Sequence, residues 1–251
     1  LRRAIYRSSN VYFYDLASRM DITNFTDFVR QFGFGRNMAI DVADARSGLL
    51  PNPVWKQGMK GEIWYPGDTV NISIGQGDVL ATPLQLATYS ALLSNRGEWL
   101  RPRMLLSSDE PLMEFDPGLA PERVAGPSMF DWENIVDAME DVVHRGAMGF
   151  RQSGTAYPHI GKDLTYRMAG KSGTAQVVEI RQGEEYSAEE LDEYQRKHAW
   201  FIAFAPADDP QIAMSVLVEN GGGGSSVAAP VARAVLDAYL LPTLEQPIAK
   251  R

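Results

Sequence analysis

Two apolar runs, residues 198–205 (HAWFIAFA) and 211–219 (QIAMSVLVE), are separated only by Pro206-Ala207-Asp208-Asp209-Pro210. Runs of this length, rich in β-branched and aromatic side chains, read as strands, and the joining residues are turn formers. Two strands linked so tightly pair antiparallel. A third extended stretch precedes them, Arg167-Met168-Ala169-Gly170-Lys171-Ser172-Gly173-Thr174-Ala175-Gln176-Val177-Val178-Glu179-Ile180. Residues 230–241 follow them as an amphipathic helix, with Val231, Val235, Leu236, Tyr239 and Leu240 on its expected buried side. The C-terminal third is thus restricted to an antiparallel sheet covered by helices.

The remainder reads as mostly helical. Ile5, Val11, Phe13 and Leu16 recur at helical intervals, interrupted by Arg7-Ser8-Ser9-Asn10, so two helices are expected to meet at Ser8-Ser9-Asn10. A helix capped near Thr23 should end at Gly33 and Gly35, and residues 40–66 read as a long irregular segment. Thr82-Pro83 opens a helix through Leu86, Tyr89, Leu92 and Leu93, stopped by Asn95-Arg96-Gly97. Another spans residues 130–144, with apolar Ile135, Val136, Met139, Val142 and Val143. Residues 101–127 and 146–161 read as loops, residues 181–197 as a solvated charged excursion and residues 221–226 as a flexible turn. The expected class is α/β of the α+β kind, an antiparallel sheet covered by helices with a mostly helical subdomain.

With 251 residues and 45% hydrophobic content the chain has enough apolar material for a real core. A net charge of -8 without a basic stripe argues against general nucleic-acid binding. The absence of cysteine excludes disulfides, thiolate catalysis and cysteine-based zinc sites. His144, His159 and His198 have no metal-ligand spacing, so no metal and no cofactor is expected. Gly221-Gly222-Gly223-Gly224 lacks the Lys-Ser/Thr that a phosphate loop requires.

Chemistry concentrates in two places. Lys171, Ser172 and Thr174 put a cation and two hydroxyls on a strand, where Gly173 leaves room for a second backbone to approach. Ser8 and Asn10 lie at the turn between the first two helices. Ser153-Gly154-Thr155-Ala156 repeats the text of residues 172–175, but Gln152 stands where a lysine would be needed, so it is assigned a structural or substrate-lining place.

Serine-any-asparagine at a helix turn, followed far downstream by lysine-serine-glycine on a strand, resembles two of the three motifs of penicillin-binding proteins and serine β-lactamases. Ile74-Gly75-Gln76-Gly77 with Ala81-Thr82-Pro83-Leu84-Gln85-Leu86-Ala87 is similar to a segment of class B transpeptidases. His198-Ala199-Trp200-Phe201, Phe204-Ala205-Pro206 and Val218-Glu219-Asn220-Gly221-Gly222 are similar to that family's last two strands. Tyr65-Pro66-Gly67-Asp68 and Glu219-Asn220-Gly221 lean towards its penicillin-binding protein 2 branch.

The resemblance implies a penicillin-binding protein/serine β-lactamase-like transpeptidase fold, with residues 1–242 the C-terminal part of that domain and residues 243–251 a tail. It implies catalytic Ser8, Asn10 and Lys171, and substrate-binding Ser172, Gly173, Thr174 and Ala175. One departure is plain: no serine here has lysine three residues later, so the nucleophile-bearing Ser-X-X-Lys motif is expected upstream of Leu1, with a membrane anchor, and the chain alone should form no acyl-enzyme. The implied activity is D,D-transpeptidation of peptidoglycan stem peptides through a serine acyl-enzyme, inhibited by β-lactams, at the periplasmic face of a bacterial inner membrane. The implied partners are a SEDS-family glycan polymerase, an elongation complex and the upstream part of the same protein. The alternatives are a D,D-carboxypeptidase, a β-lactamase-like hydrolase or a non-catalytic penicillin-binding sensor or scaffold.

Overall fold

The structure, a computed structural model, describes residues 1–39, 41–42, 44–106, 122–146, 152–177 and 192–244. It divides into two compact units, Leu1–Val136 and Asp137–Arg251.

The first unit is helical: α1 (Arg2–Tyr6), α2 (Asn10–Ala17), α3 (Ile22–Arg30), α4 (Pro53–Lys60), α5 (Pro66–Ile72), α6 (Pro83–Ser94) and the start of α7 (Met129–His144). Local chemistry sets their starts. The Asp21 carboxylate accepts from the Asn24 N–H at 3.0 Å and caps α3, two residues earlier than expected. Thr82 and Gln85 exchange hydrogen bonds as a capping box on α6, with Pro83 in the first turn.

The segment expected to be irregular, residues 40–66, contains one helix, α4, and its last residue opens a second, α5. Asn52 accepts from the Trp55 N–H at 2.8 Å and Pro53 opens α4, while Asp68 accepts from the Tyr65 N–H at 2.7 Å and Pro66 opens α5. Buried Lys56 joins the pair through a 2.7 Å bond to Asp68. Each Pro marks a helix start, not a loop.

Rings of Phe32, Phe34, Tyr89 and Trp132 build the aromatic centre of this unit. Gly97 lies so close to the Trp132 ring that any Cβ would collide with it. On α2, by contrast, Val11, Tyr12 and Leu16 stay exposed, because no neighbour among the described residues packs on that face.

The second unit holds a three-stranded antiparallel sheet in the order β1-β2-β3, with β1 at Ala169–Ala175, β2 at His198–Ala205 and β3 at Ile212–Val218. Strand β1 is shorter than expected: Gln176 and Val177 lie beyond it, and residues 178–180 fall outside the described residues. Most of the charged excursion (178–191) and of the loop before α7 (107–121) also falls outside them. A short helix, α8 (Tyr157–Ile160), interrupts the expected loop before β1, and a 3-10 turn (Glu193–Gln195) precedes β2.

The expected flexible glycine turn runs into a π-helical turn, Gly224–Ala228, which leads directly into α9 (Ala229–Leu244). The buried stripe of α9 is Ala229, Ala232, Leu236 and Leu240, all essentially inaccessible. Val231, Val235 and Tyr239, expected inside, are exposed. The small alanines let the helix approach its neighbours closely, and that choice rotates the valines outward.

Candidate active site

In the first unit, the turn between α1 and α2 is a Schellman motif: the Ser9 N–H donates to the Ala4 carbonyl at 2.9 Å and the Ser8 N–H to the Ile5 carbonyl at 3.0 Å. The geometry requires a left-handed residue, and Ser8 supplies it with φ +52°. Glycine fills such positions without the Cβ penalty of about 1–2 kcal/mol. A serine held there lifts its side chain out of the helix, and a strained serine of this kind points to function. Ser9 is the N-cap of α2 and Asn10 its first residue; both Ser8 and Asn10 are solvent-exposed.

In the second unit, β1 carries the remaining motif and lies at one edge of the sheet. Lys171 pairs with Ile202, Ser172 with Phe201, Gly173 with Trp200, Thr174 with Ala199 and Ala175 with His198. Strand alternation sends Lys171, Gly173 and Ala175 to one face and Ser172 and Thr174 to the other. The lysine and the two hydroxyls therefore flank the strand, and an extended ligand meets both sets only along the outer edge of β1.

The start of β1 and the open end of the neighbouring β2–β3 pair are fixed by different devices. At the start of β1, three consecutive residues are tied down: the Tyr166 hydroxyl donates to Asp237 at 2.8 Å, the Arg167 guanidinium grips Glu140 with bonds of 2.6–2.9 Å, and the Met168 N–H donates to His144 Nε2 at 2.9 Å. Burial beside Asp237 pushes the Tyr166 hydroxyl well above its usual pKa, so it stays a donor. Burial, with Arg167 nearby, lowers the pKa of His144 and keeps the imidazole neutral to accept the Met168 N–H.

At the open end of the β2–β3 pair, Asn220 (φ +55°) latches the hairpin. Its N–H donates to His198 Nδ1 at 2.9 Å, and its side-chain amide donates to the Tyr194 carbonyl at 3.0 Å and the Arg196 carbonyl at 2.9 Å. Behind the motif, Gly224 of the π-turn leaves no room for a Cβ against the Gly173 and Trp200 carbonyls. A glycine is needed there for the turn to seat against Gly173.

Lys171 is half-buried, and its ammonium donates to the Ser172 carbonyl at 2.7 Å. Burial lowers its pKa to about 8, so the amine is mostly charged at neutrality but gives up its proton far more readily than an ordinary lysine. Such a lysine serves as electrostatic anchor and as proton-transfer group. Among the described residues no cluster of metal-binding side chains occurs.

The repeated Ser153-Gly154-Thr155-Ala156 text is structural. Gly154 donates to the Arg145 carbonyl at 2.9 Å and Ala156 to the Val142 carbonyl at 3.0 Å, capping the end of α7, and Gly154 is too close to α7 backbone for any Cβ. His144, Tyr166, Asn220 and Gly224 carry positioning duties that the sequence reading did not assign.

The profile of the penicillin-binding protein transpeptidase domain matches residues 1–237. The chain is 38% identical over 248 residues to the peptidoglycan D,D-transpeptidase MrdA of Haemophilus influenzae, covering 98% of this chain and 37% of that protein. Its structure is similar to that of Pseudomonas aeruginosa PBP2 solved in complex with WCK 5153, with TM-score 0.81, 41% identity, and coverage of 96% of this chain and 49% of that one. It is also similar to PBP2 of Helicobacter pylori in its complex with MreC, with TM-score 0.75, 28% identity, and coverage of 97% and 40%. The chain spans less than half the length of each of these relatives.

Proposed function

This chain belongs to the penicillin-binding protein transpeptidase family, most like penicillin-binding protein 2, and from that premise we propose that it supplies substrate-binding and proton-transfer groups for D,D-transpeptidation of peptidoglycan stem peptides. The observation that carries the reading is β1: an edge strand bearing a half-buried lysine of lowered pKa, anchored at its start and backed by Gly224 behind Gly173.

In the proposed reaction a serine Oγ from a Ser-X-X-Lys segment outside this chain attacks the carbonyl of the penultimate D-alanine. The Oγ–C bond forms, the D-Ala-D-Ala peptide bond breaks, and the departing D-alanine takes a proton at its amine. An acceptor amine of a second stem peptide then attacks the ester and regenerates the serine. Ser8 relays the proton to the leaving amine, with Lys171 tuning the relay by its charge. Asn10 offers one donor and one acceptor to a stem-peptide amide. Ser172 and Thr174 bind the terminal carboxylate, Gly173 and Ala175 let the extended donor lie along the strand, and the Thr174 N–H is one oxyanion donor. A β-lactam occupies the same groups and leaves a stable acyl-enzyme.

The domain assignment follows the same premise: residues 1–242 form the C-terminal part of the transpeptidase domain. The location is the periplasmic face of the inner membrane, with an anchor outside this chain; among the described residues no helix is long and apolar enough to cross a bilayer. The partners are a SEDS-family glycan polymerase and an elongation complex; the Helicobacter pylori relative solved with MreC supports membership of a multiprotein assembly.

Exchange of labelled D-alanine into a D-Ala-D-Ala pentapeptide by the intact protein tests the proposal. Transpeptidation predicts exchange, with kcat/KM lowered about 100-fold or more in Lys171→Ala, the scale of losing one transition-state contact. Release of D-alanine without exchange would assign a carboxypeptidase instead. No turnover by a folded, intact protein would leave the non-catalytic reading.

A further inference from the structure

The first unit contains a cavity of about 280 Å³ between the last turn of α3, residues 34–36, residues 47–52 and the first turn of α4. Arg30 and Arg36 supply positive charge to its lining, Ser47 and Asn52 supply neutral polar groups, and Phe34 and Trp55 supply aromatic wall. Among the described residues no carboxylate lines it, in a chain with 32 acidic against 24 basic residues. Among the described residues, half-buried Arg30 has no hydrogen bond or ion pair, and the Asn52 amide nitrogen is unused because only its oxygen serves as the α4 cap.

The walls are held in place before any ligand arrives. Gln85 is 1% exposed, and its amide nitrogen reaches the Gly33, Arg36 and Ser47 carbonyls at 3.1, 3.0 and 2.7 Å. Two hydrogen bonds of 2.7 and 2.9 Å couple Leu49 to Leu80. Gly48, at φ +60°, sits where a Cβ would collide with the Leu80 carbonyl. A fixed wall avoids the ordering cost that weakens binding to flexible sites.

We propose that this cavity binds a small organic anion. A single phosphate or carboxylate head group is held by the planar fork of Arg30 with help from the Asn52 amide, and its apolar body lies against Phe34 and Trp55. Positive charge alone would suit any anion; the aromatic wall selects one with a ring or short chain.

The test is fluorine NMR on the intact protein labelled with 5-fluorotryptophan, in which Trp55→Phe assigns the Trp55 signal. Phenyl phosphate and benzoate carry both elements, whereas inorganic phosphate and phenol carry one each. The proposal predicts a saturable shift of the Trp55 signal by phenyl phosphate or benzoate with a midpoint below about 1 mM. The tighter of the two names the head group. Inorganic phosphate and phenol should bind at least tenfold more weakly. Arg30→Gln should raise the midpoint at least tenfold and Arg30→Lys less, with the other tryptophan signals unmoved as the check on folding. Absence of a saturable Trp55 shift, an unchanged midpoint in Arg30→Gln, or equal binding of inorganic phosphate overturns the proposal.

Discussion

Ser8 occupies a backbone position that glycine would fill at lower cost. Ser8→Gly removes that cost but gives the unfolded chain more freedom, so unfolding free energy should hold or rise by up to about 1 kcal/mol in a denaturant titration. Transpeptidation by the intact protein should fall about 100-fold or more. A variant that is as stable and fully active would remove Ser8 from the reaction.

Lys171 makes a second residue-scale prediction. Its pKa of about 8 lies below the ordinary lysine value of 10.5, so between those pH values the unfolded chain holds a proton that the folded chain has released. Stability must therefore rise with pH across that window, by an amount on the order of 3 kcal/mol from this group. Lys171→Met should flatten that part of the stability–pH curve. Equal slopes in the two proteins would show that the amine titrates normally.

At the scale of elements, β1 is a strand positioned by α7 and α9 as much as by its own pairing. The His144–Met168 bond makes one attachment pH-sensitive. A neutral imidazole accepts that N–H, and the pKa of folded His144 lies below its ordinary value. As pH falls below about 6.5, the unfolded chain takes up the proton first, and this contribution to stability declines. His144→Gln keeps an acceptor without a titrating group, so it should flatten the acid limb and preserve slow exchange of the Met168 amide at pH 5. An identical acid limb in both proteins would contradict this role for His144.

The sequence made these elements legible unevenly. The hairpin around Pro206-Ala207-Asp208-Asp209-Pro210 and the helices α6 and α7 could be read because period and punctuation agree there. Helices α4 and α5 were hidden because Asn52-Pro53 and Tyr65-Pro66 serve equally as loop text and as helix starts. The inward face of α9 was misread because alanine, the smallest apolar residue, won the close contact over valine. The attachments of β1 depend on partners 24 to 71 residues away in sequence, which no local pattern reveals.

For the whole molecule, the residues proposed to carry the chemistry were chosen from motif text alone, and they fall in both units: Ser8 and Asn10 in the helical unit, and Lys171 to Ala175 in the sheet unit. What the text did not carry is why those residues hold their conformations, namely a left-handed serine in a Schellman turn and a glycine-backed edge strand tied down at its start. The reaction also needs a serine that this chain does not contain in a Ser-X-X-Lys setting. The central claim, that β1 is a wall of a penicillin-reactive site, is tested most directly by the acylation rate of the intact protein with a fluorescent penicillin. The account predicts one covalent label on a serine upstream of this chain, formed about 100-fold or more slowly in a folded Lys171→Ala variant, and no label on this chain alone. Equal acylation rates in Lys171→Ala and the parent protein would contradict it.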